Sequence, residues 1–127
     1  MLVEEATFHA IAPQLVVPDV VRTAEWYRDN LGFKILGYFL DPPVYSIVSR
    51  GGVNIHFGKG DSDQIHTNES IRKGSMEAWL DVTNIQALYE EFVGRGVKVP
   101  YPPCERVYGR TEIEVTDCDG HKLVFGE

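Results

Sequence analysis

Apolar residues recur at helical spacing in the stretch that follows Asp19. The stripe consists of Val20, Ala24, Tyr27 and Leu31. An aspartate side chain can accept hydrogen bonds from the free N–H groups of a first helical turn, and glycine commonly ends a helix. The pattern therefore predicts an amphipathic helix that begins after Asp19 and stops at Gly32.

A second stretch repeats this pattern further along the chain. Its stripe consists of Ile85, Leu88, Tyr89 and Phe92. Asn84 stands at the predicted N-cap and Gly96 at the stop. The two caps are 65 positions apart and the two glycines 64, which indicates an internal repeat.

Segments of β-type composition surround both predicted helices, one before each helix and three after it. The predicted strands are 12–18, 33–40, 44–49 and 53–58 in the first half, and 76–82, 97–103, 111–116 and 122–126 in the second. Residues 59–74 lack a sustained apolar period and are predicted to form a surface linker.

Each half thus has the order β-α-β-β-β, and the predicted fold class is α+β with paired βαβββ modules. We expect one domain over 1–127, with module one at about 9–58, the linker at 59–74 and module two at 75–127. One helix covers only one face of a four-stranded sheet. Two modules can set their open faces together in a curved mixed sheet, which predicts a pocket in a central cleft.

Composition excludes several classes of partner. The 127 residues include 19 acidic and 12 basic side chains, a net charge of −7, which disfavours nucleic acid and favours neutral or cationic ligands. Cys104 and Cys118 lack the spacing of a zinc or redox motif and are interpreted as idle thiols. The N-terminal residues carry no basic signal and no apolar run approaches the ~20 residues of a membrane span. We expect a cytoplasmic protein with no membrane contact.

The stretch "DVVRTAEWYRDNLGFKI", the paired modules and the closing "YGRTEIEVTDCDGHKLVF" resemble the vicinal oxygen chelate superfamily. That superfamily includes glyoxalase I, extradiol dioxygenases, fosfomycin-resistance thiol transferases and bleomycin-resistance proteins. The resemblance covers residues 12 to 126 and implies the paired-module fold. Cys118 departs from the family's usual Asp-Pro-Asp-Gly turn.

Strand alternation assigns the side chains that face the predicted cleft, because residues two apart share one side of a strand. Leu15, Val17, Ile55, Phe57, Leu123 and Phe125 are predicted to pack under the helices. The predicted ligand-binding residues are Gln14, Asn54, His56, Glu77, Trp79 and Lys122, with Tyr101 and Tyr108 as candidate walls. Trp79 either stacks on a planar or cationic ligand or fills the cleft or a dimer seam.

Two further groups of side chains have open interpretations. The strand face carrying Arg110, Glu112 and Glu114 either reads a cationic ligand or is simply solvated. His9, His66 and His121 are expected to be solvent-exposed.

The resemblance also implies where a metal would bind. The ligand positions of metal-dependent members align with Ala12, His56, Glu77 and Val124, and only His56 and Glu77 can donate. No cofactor is therefore expected, the alternative being a divalent metal with further ligands such as Gln14. His56 and Glu77 are candidates for a ligand-binding pair, or for a general acid/base pair in an enzyme.

The favoured function is that of a metal-free small-molecule binder similar to the bleomycin-resistance branch, sequestering an antibiotic or another planar or cationic compound. By the same resemblance we expect a homodimer whose pockets are built by both chains. The alternatives are a glyoxalase- or dioxygenase-like enzyme that uses a divalent metal, and a structural module with a vestigial cleft.

Overall fold

The structure is a computed structural model that describes residues 4–127, so the first three residues of the expected 1–127 domain lie outside it. Its strands are β1 Gln14–Val17, β2 Lys34–Phe39, β3 Tyr45–Arg50, β4 Val53–Lys59, β5 Ala78–Asp81, β6 Cys104–Glu105, β7 Thr111–Thr116 and β8 Lys122–Gly126. Its helices are α1 Val20–Leu31, α2 Asn68–Ile71 and α3 Ile85–Gly94.

Both predicted long helices are confirmed, together with the residues that cap them. The Asp19 side chain accepts hydrogen bonds from the N–H groups of Val21 and Arg22 at 3.0 Å, and Gly32 ends α1 with φ +72°. The Asn84 side chain caps α3 by accepting from the Ala87 N–H. Helix α3 stops two residues before Gly96, whose left-handed φ of +86° turns the chain out of the helix.

The strands form two separate sheets of four, in the orders β1-β4-β3-β2 and β5-β8-β7-β6. In each sheet the first and last strands of the module pair in parallel, and the remaining neighbours are antiparallel. This equivalence confirms the βαβββ repeat. The expected α+β fold of paired modules with mixed sheets is confirmed, and each module contributes one four-stranded sheet.

Two predicted segments differ from the structure. Residues 97–103 do not form a strand, and β6, the second strand of module two, is only Cys104–Glu105. Prolines at 100, 102 and 103 lack the N–H that a sheet ladder requires, which moves the strand beyond them. The linker contains the one-turn helix α2, because Thr67 and Ser70 form a reciprocal capping box.

One hydrophobic core serves both modules. It contains the six residues predicted to pack under the helices, together with α1 and α3 residues such as Tyr27 and Phe92. Each sheet therefore buries its helix-side face in the shared core. Its opposite face, called the outer face below, lies away from that core.

The modules contact each other through pseudo-equivalent positions. From α1, the Tyr27 hydroxyl donates to Asp117 Oδ2 at 2.6 Å, and Thr23 and Arg22 both donate to Asp119 in the β7–β8 turn. Helix α3 is joined in the corresponding way to the end of β3, where the guanidinium of Arg50 forms two hydrogen bonds with the carboxylate of Glu91. Each helix is thus fastened to a hairpin of the other module. None of the helices within residues 4–127 has the length and hydrophobicity needed to cross a bilayer.

Candidate functional site

The outer face of the first sheet carries a polar relay across three strands. Gln14 on β1 donates from its side-chain amide to the Tyr45 hydroxyl at 3.0 Å, and that hydroxyl lies 2.8 Å from Nδ1 of His56 on β4. The Tyr45 hydroxyl thus connects the Gln14 amide to the His56 ring. This relay holds the imidazole in place on the outer face.

Apolar side chains surround this relay. The Phe39 and Tyr45 rings meet edge to face with centroids 6.0 Å apart, and Val16 beside them is half exposed. Asn54, also predicted to be in the site, is half-buried and lies opposite Ser49. The first outer face is therefore an apolar surface with a few fixed polar groups.

The outer face of the second sheet is built around Trp79 on β5. Its indole lies against the backbone of Gly126 on β8, where a Cβ would stand 2.3 Å from the indole Cζ2. The indole N–H donates to Glu112 Oε2 at 2.7 Å, and Glu112 on β7 is only 3% exposed. Trp79 is held in one orientation although 37% of it remains exposed.

Arginines complete this second face. The guanidinium carbon of Arg110 lies 4.7 Å from the indole centroid, and its Nη2 donates to Asp81 at 2.7 Å. Arg106 lies 3.4 Å from the Glu112 carboxylate and donates to the Tyr101 hydroxyl. Burial alone would raise the pKa of Glu112, but the Tyr108 hydroxyl, the indole N–H and the charge of Arg106 outweigh it, so the net pKa is lowered. Glu112 is a carboxylate.

Tyr101 and Tyr108 differ in their environments. Tyr101 is half-buried beside Arg106, and burial together with Glu114 raises its pKa. Tyr108 is exposed. Both hydroxyls have polar partners, Arg106 for Tyr101 and Glu112 for Tyr108, but only Tyr101 is half-buried.

Lys122 on β8 forms ion pairs with Glu69 at 3.0 Å and Glu114 at 3.3 Å. The bond to Glu69 is the main reason that the pKa of Lys122 is raised. Its ammonium therefore joins α2 to the second sheet and is charged.

The predicted meeting of His56 and Glu77 does not occur within the chain. Both oxygens of Glu77 accept backbone N–H groups, one from Asn68 at the start of α2 and the other from Lys122 at 2.9 Å. Glu77 thereby ties the linker helix to the beginning of β8, while His56 is engaged by Tyr45. The two side chains have separate structural partners.

The four positions implied for a metal do not fit one. Ala12 offers no donor and Val124 is a buried hydrocarbon, while the carboxylate of Glu77 is occupied by backbone N–H groups. Among residues 4–127, a different group, Asp117, Cys118 and Asp119, brings three donor atoms within 4.8 Å of one another.

That group is also committed to the fold. Asp117 accepts from the Tyr27 hydroxyl and from the backbone N–H groups of Asp119 and His121. Burial and the two neighbouring carboxylates raise the pKa of the Cys118 thiol to about 12. A protonated thiol is a poor metal ligand, and the interpretation of Cys118 as chemically idle agrees with its environment.

The expectation for His121 was wrong. It is 2% exposed, and its Nδ1 has no hydrogen-bond partner, lying 3.7 Å from Asp117 Oδ2. His9 and His66 are both exposed, as expected. His121 follows a turn in sequence, but that turn packs against α1 of the other module, which sequence spacing alone does not reveal.

Sequence reasoning also missed Arg106, Gly126 and the partnership of Tyr45 with Gln14. A glycine within a strand often marks the close approach of another group, which was a signal for Gly126. In the structure Gly126 pairs with Glu112 on β7 and with Asp81 on β5. Arg106 lies in an irregular segment just after β6, where alternation makes no assignment.

Two cavities open at the junction of the modules. One, of about 280 Å³, has apolar walls that include Phe33, Leu80 and Phe92. The other, of about 350 Å³, is lined by polar groups that include Glu77 and His121. The second cavity is also lined by Gln14 and Val16 of the first outer face, and neither of these two cavities is lined by His56 or Trp79.

Comparisons with known proteins agree with this architecture. The family model of the Glyoxalase/Bleomycin resistance protein/Dioxygenase superfamily matches residues 7–125. No curated protein sequence matches the chain.

Solved structures with the same fold include two bleomycin-related proteins and one glyoxalase-related enzyme. A bleomycin-binding protein from bleomycin-producing Streptomyces verticillus, complexed with copper(II)-bleomycin, is 25% identical, with a TM-score of 0.73 over 95% of this chain and 97% of that one. A glyoxalase-related enzyme from Clostridium phytofermentans is 19% identical, with a TM-score of 0.75 over 96% of each chain. A bleomycin resistance determinant encoded on the transposon Tn5 is 19% identical, with a TM-score of 0.74 over 94% of this chain and 98% of that one.

Proposed function

The chain belongs to the glyoxalase/bleomycin resistance protein/dioxygenase superfamily, and within it we propose that it is a metal-free binding protein for a planar or cationic small molecule. A compound sequestered in this way could be an antibiotic, as the bleomycin-binding neighbour from Streptomyces verticillus suggests. The proposed site is the outer face of the second sheet, together with the relay of the first.

The observation that carries this proposal is the indole of Trp79. A large aromatic ring is fixed by Gly126 beneath it and Glu112 at its edge, yet more than a third of the residue stays exposed on an open sheet face. A rigid aromatic surface next to carboxylates suits a planar cation, because stacking, cation–π attraction and charge all favour it. The net charge of −7 also attracts a cationic ligand over longer distances.

We further propose that the working unit is a homodimer. The outer faces of the two sheets carry complementary parts of a binding site, an aromatic platform and a polar relay, but no cavity described above joins them. A second copy that sets its first sheet against the second sheet of its partner would enclose both parts by two-fold symmetry. Phe8 and Ile11 are 96% and 93% exposed, which supports burial of the segment before β1 in such a contact.

The absence of a suitable ligand set favours binding over metal-dependent catalysis. Two of the four implied positions carry hydrocarbon side chains. At a third position, both carboxylate oxygens of Glu77 accept hydrogen bonds from backbone N–H groups. A catalytic zinc site needs about three protein ligands.

Titration followed by the indole N–H signals in NMR tests the proposal, since the protein contains just two tryptophans. We expect bleomycin or other planar cationic compounds to shift the Trp79 signal and to leave that of Trp26, which packs against the core from α1, unchanged. Trp79→Phe should bind the same compounds about ten times more weakly.

If no compound in a broad panel of planar and cationic molecules shifts the Trp79 signal, the proposed function is contradicted. Chelation followed by a thermal melt distinguishes the enzyme alternative, because removing a resident ion lowers the melting temperature. A clear loss of stability on chelation would favour the metal-dependent enzyme instead.

A further inference from the structure

Arg110 packs over the ring of Trp79. Its guanidinium carbon lies 4.7 Å from the ring centroid, while Gly126 contacts the indole from the strand side. The platform on which a ligand would stack is therefore already in contact with a planar, delocalised cation from the protein itself, although 37% of Trp79 remains exposed.

The bonds that hold Arg110 there are weak. Among residues 4–127 its only ion pair is with Asp81, whose side chain is mostly exposed, and exposed pairs contribute little to stability. Its buried Nε has no hydrogen-bond partner, which is unfavourable for a charged group. The guanidinium can thus leave at small cost, and its departure uncovers both the indole and the Asp81 carboxylate.

This inference rests on the proposed function. We propose that Arg110 takes the place of the ligand's planar cationic group on Trp79, and that the bound ligand displaces Arg110 from the indole. The class of ligand is then one that carries an amidinium, a guanidinium or a comparable flat cation. Such a group would stack on the indole and donate to Asp81 Oδ1, which is the oxygen that Arg110 now occupies. Competition with Arg110 lowers the apparent affinity and sets the specificity of the site.

The test uses benzamidine, which is a planar cation at neutral pH, and benzamide, its neutral analogue of the same shape. Both are titrated into the full-length protein while the Trp79 indole N–H is followed by NMR. Removal of the competitor in Arg110→Gln should tighten benzamidine binding about three- to tenfold. Benzamide should gain less, because it cannot replace the charge.

Two variants serve as controls. Arg28→Gln removes the same charge from an exposed site on α1, so it reports the long-range electrostatic effect alone. Adding Asp81→Asn to Arg110→Gln should reverse most of the gain for benzamidine and leave benzamide unchanged, because the carboxylate that pairs with the cation is gone.

The outcomes separate this inference from the proposed function. Benzamidine binding that is weakened or unchanged by Arg110→Gln would overturn the inference, since the guanidinium would then be a fixed part of the platform or irrelevant to it. The inference would also be overturned if benzamidine shifted the Trp79 signal neither in the wild-type protein nor in Arg110→Gln. If other planar compounds still shift Trp79 in those cases, the proposed function stands without the inference.

Discussion

At the scale of single residues, the candidate site depends on a glycine. Gly126 ends β8 directly beneath the indole of Trp79, and no side chain fits between them. The missing Cβ lets the ring lie flat on the sheet, which brings the indole N–H to the buried carboxylate of Glu112. A residue without a side chain thus determines where the largest side chain of the site points.

Gly126→Ala should destabilise the protein by about 1–3 kcal/mol, because the new methyl group must push the indole away from Glu112. Urea denaturation measures the change, and the Trp79 indole N–H signal should move towards its solvent-exposed position. Gly37→Ala is the matched control within β2, where an added Cβ meets nothing within 4 Å. We expect it to change stability by less than about 0.5 kcal/mol. Equal effects of the two substitutions would contradict this account of the platform.

At the scale of elements, the β7–β8 turn performs more than chain reversal. Asp117 organises it by accepting from two backbone N–H groups of the turn and from Tyr27 of α1. Burial opposes protonation of His121, but Asp117, Glu77 and Asp119 outweigh burial and raise its pKa. The folded state therefore binds the His121 proton more tightly than the unfolded chain does.

This linkage gives a signed pH dependence. The stabilisation by protonated His121 is complete below its unfolded pKa of about 6.5 and is lost as the pH rises through the higher folded pKa. His121→Gln should cost roughly 1–3 kcal/mol at low pH, where a buried charge loses its partner, and clearly less at alkaline pH. Denaturant unfolding at about pH 5.5 and pH 8.5 measures both differences. His9→Gln, at an exposed position, should show no such dependence, and a pH-independent cost for His121→Gln would refute the assignment.

At the scale of the whole molecule, the arrangement of the modules leaves the chain with uncovered sheet faces. The helices and both helix-side faces share one core, so the outer faces with Trp79 and His56 cannot close on each other through that core. Val16 and Phe39 on the first outer face are about half exposed. The homodimer proposed above would bury these surfaces.

The wild-type protein should sediment as a dimer, with about twice the 14.3 kDa mass of one chain. Val16→Lys combined with Phe39→Lys should shift it to the monomer, because two charges would be buried in the contact. Val93→Lys is the control, since that residue is also half exposed but lies on α3. A monomeric wild-type protein at all concentrations used would remove the dimer from the proposed function.

The sequence alone determined the features that depend on neighbouring residues. Asp19 and Gly32 were identifiable as helix ends because their side-chain and backbone preferences act within one turn. Leu15, Phe57 and Leu123 were assigned to the core because strand alternation is a local rule. Trp79 was placed on the opposite face by the same rule, and strand 97–103 was misplaced where prolines interrupt it.

Only the tertiary structure decided which of those side chains remain available for a ligand. Glu77 was occupied by backbone donors from α2 and β8, and His121 was buried by the turn's contact with the other module. Arg110 was brought over Trp79 from the residue that precedes β7. Each outcome depends on contacts between different elements of the fold. Periodicity specifies which way a side chain faces, whereas its partners depend on how the packed elements meet in space.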